Sequence, residues 1–124
     1  MKVRIKGNTI RIRLTKTEVD YFKEFKRIVE KTEFGNSTLR YGVYATPEAK
    51  QFSASLENNN LIYSLPENVA NSWASTSQVG LSAEMEVGNG KKLFLLLEKD
   101  FKCLDETNED QNDNYENPLA HLHK

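Results

Sequence analysis

Side chains suited to chemistry are few in this chain, and they are scattered. Cys103 is the only cysteine, and His121 and His123 are the only histidines. A thiol nucleophile needs a base beside it and an accessible, electropositive setting. Cys103 instead continues the odd register of Leu93, Leu95, Leu97 and Phe101, so it reads as an interior packing residue. The two histidines lack the cysteine or third histidine that would complete a zinc site. Asp105, Glu106, Glu109, Asp110 and Asp113 are spaced without the glycine and terminal bidentate glutamate of a calcium loop. No Walker loop, dinucleotide glycine pattern, Gly-X-Ser-X-Gly elbow or His-Glu-X-X-His motif occurs. No catalytic, metal or cofactor residue is assigned, and no cofactor is expected.

Two charged groups remain. Glu98, Asp100 and Lys102, with Lys99 between them, follow an apolar run and could form a small polar site at a strand end. A solvated charge cluster explains the same residues with less. Lys99 falls on the inward register, which calls for a bulge or an open strand end. Lys2, Arg4, Lys6, Arg11 and Arg13 make a basic strip that could hold phosphates. Residues 1 to 40 carry eleven Lys or Arg against five acids. The outward positions beside the strip offer no aromatic for base stacking, which ranks nucleic acid below other partners. Residues 105–116 hold six acids and no base, so this segment is the expected counter-charge.

Elements must place these groups. Ile5, Ile10, Val3 and Ile12 alternate around Gly7-Asn8, which predicts a hairpin over residues 2–14 with Arg4 facing Arg11 and Lys2 facing Arg13. Thr15-Lys16-Thr17-Glu18 has capping-box spacing. Val19, Phe22, Phe25 and Val29, with Tyr21 and Ile28, then form a helical stripe ending before Gly35-Asn36. Leu39 to Thr46 alternates as a strand. Phe52–Leu56 and Leu61–Leu65 flank Asn58-Asn59 as a second hairpin, pairing Leu56 with Leu61 and Ala54 with Tyr63. Pro66 opens a short helix with Val69, Ala70 and Trp73 turned inward. Around Gly88-Asn89-Gly90 the pattern pairs Met85 with Leu93, Ala83 with Leu95, Leu81 with Leu97 and Glu86 with Lys92. That register implies a three-residue loop with Gly90 left-handed. Leu93–Leu97 is apolar on both faces and should be central, covered on both sides. An echo at 51 residues sets Ile10, Ile12, Leu14, Val19 and Phe22 against Leu61, Tyr63, Leu65, Ala70 and Trp73.

The expected fold is α+β, with about seven mainly antiparallel strands in one twisted, barrel-like sheet and one long and one short helix. Residues 1–104 form the domain and residues 105–124 an acidic, irregular tail. The 124 residues suffice for one core, and net charge is −1. No apolar run approaches the roughly 20 residues of a membrane span. The alternating N-terminus is unlike a signal peptide, and one cysteine favours a reducing compartment, so a soluble cytoplasmic protein is expected.

Three blocks, VRIKGNTIRIRLTKTEV, EMEVGNGKKLFLLLEKDFKCLD and DNYENP, resemble an uncharacterised family of short bacterial proteins of unknown function. The resemblance implies a bacterial, single-domain protein and carries no activity onto any residue. The leading expectation is a non-enzymatic binding or assembly module that uses a sheet edge or apolar patch, with a homodimer as the default partner and any small-molecule ligand unknown. A small enzyme at Glu98, Asp100 and Lys102 and a nucleic-acid binder at the basic hairpin are the alternatives.

Overall fold

The computed structural model describes residues 1–101 and 115. The chain runs β1 (Lys2–Lys6), β2 (Thr9–Leu14), α1 (Lys16–Phe25), β3 (Arg27–Glu33), β4 (Thr38–Thr46), β5 (Ser53–Glu57), β6 (Asn60–Pro66), α2 (Glu67–Ser75), β7 (Gly80–Gly88) and β8 (Lys91–Lys99). The order hairpin, helix, hairpin therefore occurs twice. The second β2-like strand and helix follow the first at the spacing of the sequence echo.

The strands form two four-stranded sheets, β1-β2-β8-β7 and β3-β4-β6-β5. Each is two antiparallel hairpins joined through a parallel pair of central strands, β2 with β8 and β4 with β6. The expectation of one seven-stranded, barrel-like sheet is corrected to eight strands in two mixed sheets that do not close. The first sheet joins β1–β2 to β7–β8 at the far end of the chain, and the second joins β3–β4 to the next hairpin, β5–β6, through a parallel pair; local patterns encode neither pairing.

The eighth strand came out of the expected long helix. The capping box forms as read: Glu18 N–H donates to Thr15 Oγ1, and Thr15 N–H donates to the Glu18 carboxylate. The helix nonetheless stops at Phe25, where Lys26 turns left-handed at φ 64°. β-branched Ile28 and Val29 then enter β3, and only Ile28 faces the core. Val19 and Phe22 are the buried residues of the helical stripe; Tyr21 and Phe25 stack on each other outside, ring centroids 4.6 Å apart.

Registers follow the hydrophobic pattern. Ile5 pairs with Ile10, Arg4 with Arg11, Leu56 with Leu61 and Ala54 with Tyr63. Leu81, Ala83, Met85 and Glu86 face Leu97, Leu95, Leu93 and Lys92 as the alternation predicts. The turn differs in detail. Gly88 pairs with Lys91 across Asn89-Gly90, both left-handed, and the extra residue is a bulge at Val87. Leu93–Leu97 is central in its sheet, yet among the described residues nothing covers its outer side, and Phe94 is 43 % exposed.

The core lies between the sheets, built from Ile12, Leu14, Leu95 and Leu97 on one side and Val43, Tyr63 and Leu65 on the other. α1 and α2 follow β2 and β6 and cap one end with Phe22 and Trp73. Tyr63 crosses the core: its hydroxyl donates to the Ile10 carbonyl of the opposite sheet at 2.8 Å. Burial pushes its phenol well above the ordinary value, against the weaker pull of the Leu96 backbone hydrogen bond.

Candidate functional site at the open mouth

All hairpin turns fall at the end opposite the helices, because the central strands run parallel and each helix follows a central strand. Nothing caps that end among the described residues. The sheets part there around a cleft of about 570 Å3. Ile10 and Leu61 form its buried floor, and Met85, Leu93 and Ala54 its half-buried walls. Ile5, Leu56 and Val87 stand on its rim with 62 %, 71 % and 50 % of their surface exposed.

Each rim residue has a local reason. Ile5 and Leu56 occupy the last inward positions before the Gly7-Asn8 and Asn58-Asn59 turns. Val87 is turned out of register by the bulge. One side of the mouth is tied by a cross-sheet hydrogen bond, the Ala54 N–H donating to Met85 Sδ at 3.1 Å. A thioether is an adaptable wall, able to shift as the cleft fills. Among the described residues the lining is apolar apart from the Ser55 hydroxyl, and it holds no titratable side chain.

The sequence had marked Ile5, Leu56 and Met85 only as apolar faces. Their grouping into one mouth depends on the second sheet, which brings Leu56 of β5 across from Ile5 of β1.

The charged candidates lie elsewhere. On the outer face of the first sheet, Arg4 faces Arg11 and Lys2 faces Arg13. The parallel β2–β8 pair brings Glu98 beside Arg13. Glu98 Oε1 accepts from Arg13 Nε at 3.5 Å and lies 3.2 Å from Arg11 Nε, near enough for an ion pair but out of line for a hydrogen bond. Asp100 pairs with Lys2 Nζ at 3.0 Å. Glu98 and Asp100 are thus counter-ions to the basic strip. Lys99 solves its inward register by reaching over the Trp73 ring, 5.5 Å from its centroid, and donating to the Thr76 carbonyl at 2.7 Å. A cleft of about 350 Å3 at this end is walled by Lys16, Asp20, Lys99 and Asp100, without Glu98.

Lys102, Cys103, the two histidines and the acidic segment from Asp105 to Glu116, apart from an exposed Tyr115, lie outside the described residues, as does its expected contact with the basic hairpin. Among the described residues no three His, Cys, Asp or Glu side chains come together as metal ligands. No helix there is long and apolar enough to cross a membrane.

A two-sheet α+β scaffold with an apolar mouth defines the class. The chain belongs to a family of unknown function, DUF7009, whose model matches residues 1–119. No curated protein and no solved structure matches it.

Proposed function

We propose that this is a non-enzymatic binding module of the bacterial cytoplasm that takes an elongated apolar molecule with an anionic head, such as a fatty acid, into the open mouth. The observation that carries the reading is the exposure of Ile5, Leu56 and Val87 around a cleft of about 570 Å3 with an apolar floor. Apolar surface removed from water stabilises a complex by about 25 cal/mol per Å2, and cavities of roughly 300–1,000 Å3 suit small molecules. Charge selects the head group. Lys91 lies two positions before Leu93, on the same inward parity, at this end of the first sheet. The single cysteine supports a reducing compartment.

The test is titration of the full chain with a long-chain fatty acid and with the alcohol of equal length, followed by calorimetry. Saturable one-to-one binding, tighter for the acid and lost in Leu56→Asp, is the expected result. Leu56 is exposed enough that the substitution leaves the core intact, which circular dichroism checks. Absence of saturable binding by folded protein overturns the reading. So does a dimer that Leu56→Asp converts to monomer, because a second copy would then be what covers the mouth.

A further inference from the structure

The first sheet has a second surface, its outer face, which no described element covers. The registers lay it out as a grid. Reading across β1, β2, β8 and β7, one row is Lys6, Thr9, Phe94, Glu84, and the next is Arg4, Arg11, Leu96, Ser82. A basic half therefore adjoins an apolar half. Each half is hollowed: about 220 Å3 lined by Arg4, Lys6, Thr9 and Arg11, and a shallow depression of about 590 Å3 whose outward walls are Phe94, Leu96, Ser82 and Glu84.

We infer that this face binds single-stranded nucleic acid, with phosphates in the basic hollow and a base stacked on Phe94. Three observations converge. Arg4 and Arg11 stand directly opposite each other, an arrangement that like charges disfavour unless an anion lies between them. The carboxylates nearby are committed: Glu98 serves Arg11 and Arg13, Asp100 serves Lys2, and Glu84 pairs with Lys92 at 3.4 Å. Among the described residues, Arg4 and Lys6 have no carboxylate within ion-pair distance. Phe94, 43 % exposed, is one strand from Thr9 and two from Lys6, so a ring and cations share one row. Strands lie about 4.8 Å apart, which places the cations within a nucleotide's reach of the ring. An aromatic on a sheet with a flanking basic groove is the chemistry of sequence-tolerant single-strand binding.

The sequence expectation had ranked nucleic acid low because the strip lacked an aromatic neighbour. β8 supplies one from 85 positions away (Thr9 to Phe94), through a parallel pairing that no local pattern announces.

The experiment is fluorescence anisotropy of the full chain with labelled oligothymidine and oligouridine of about a dozen nucleotides at low salt. Saturable binding is expected, with log K falling against log salt at a slope near −2 for the three cations Arg4, Lys6 and Arg11. Phe94→Ala should weaken binding about tenfold while leaving that slope unchanged. Arg4→Gln should reduce both affinity and slope. A duplex of the same length, its bases hidden, should bind less well than the single strand. No binding at low salt overturns the inference. Equal binding of duplex, single strand and heparin, unaffected by Phe94→Ala, also overturns it, because that is attraction to any polyanion. Failure of fatty-acid binding at the mouth does not bear on it, since none of these residues lines that cleft.

Discussion

Phe22 and Trp73, 51 positions apart, meet edge to face with ring centroids 6.2 Å apart and an interplanar angle of 66°. They occupy matching places in α1 and α2, so the two halves touch through equivalent residues. The correspondence extends to the backbone. Phe94 N–H donates to the Asn8 carbonyl at 2.8 Å, and Arg40 N–H to the Asn59 carbonyl at 3.0 Å. Ala45 N–H donates to the Lys26 carbonyl at 2.8 Å, and Lys99 N–H to the Val79 carbonyl at 3.0 Å. The same long-range bonds recur in each sheet because each joins two hairpins through a parallel central pair.

This contact should dominate stability at the helical end. Trp73 is fully buried, and its indole N–H donates to the Val79 carbonyl at 3.1 Å. Trp73→Ala and Phe22→Ala should each cost about 3–5 kcal/mol in urea unfolding. The double variant should cost less than the sum, because the second deletion removes a partner already lost. Strict additivity would show that the rings do not interact.

Much of this was legible, and the reason is local. Three of the four hairpin registers could be read because alternation and a short turn fix pairing over a few residues; that of β3 with β4 could not, because β3 reads as helix. The capping box could be read because its partners are three residues apart. The helix end could not: Ile28 and Val29 fit a helical stripe and a strand equally well, and burial of Ile28 against Val43 settles it. The two sheets could not either, since β2 with β8 and β4 with β6 are chosen by the packed core. Both candidate surfaces depend on those pairings. The mouth groups Ile5 with Leu56, and the outer face groups Arg11 with Leu96 and Phe94. Glu98 reaches Arg11 and Arg13 through the same β2–β8 pairing.

Tyr63 ties the sheets and sets an alkaline limit. Its raised phenol pKa means that the folded chain holds this proton more tightly than the unfolded chain, whose ordinary value is 10.0. Stability is therefore retained below about pH 10 and falls as pH rises past it. Tyr63→Phe leaves the Ile10 carbonyl without this donor and should cost about 1 kcal/mol at neutral pH. The same variant should flatten the alkaline decline, measured as Tm against pH. An unchanged decline would place its cause in other groups.

Glu18 sets the corresponding acid limit. Partial burial raises its carboxyl pKa, but hydrogen bonds from the Met1 ammonium and from Thr15 outweigh that and hold it below the ordinary 4.5. A depressed pKa gives stability that is present above about pH 4.5 and lost as pH falls through the lower folded value. Glu18→Gln should lower Tm at pH 7 and reduce the acid-side slope, with a loss of about 1 kcal/mol for the weakened cap. A parallel shift of the whole curve would mean that the carboxylate charge plays no part.

Gly42 offers the sharpest steric test. It sits inside β4 opposite Val29, where a glycine weakens a strand unless another backbone approaches closely. A Cβ placed there would come within 2.2 Å of the Ile28 carbonyl oxygen and 2.9 Å of Val29 Cα, both backbone atoms that no rotamer change can move. β3 packs against β4 at this point, and the left-handed turn at Lys26 fixes where β3 begins. Gly42→Ala should therefore push β3 off its partner and destabilise the chain by about 1–3 kcal/mol or more. Hydrogen exchange should show the loss first in β3, as faster exchange of its amides paired to β4. Gly35→Ala is the control for backbone strain, because its φ of 93° disfavours alanine although nothing lies within 4 Å of the new carbon. Equal cost at both sites, with exchange in β3 unchanged, would refute the close approach as the reason glycine stands at position 42.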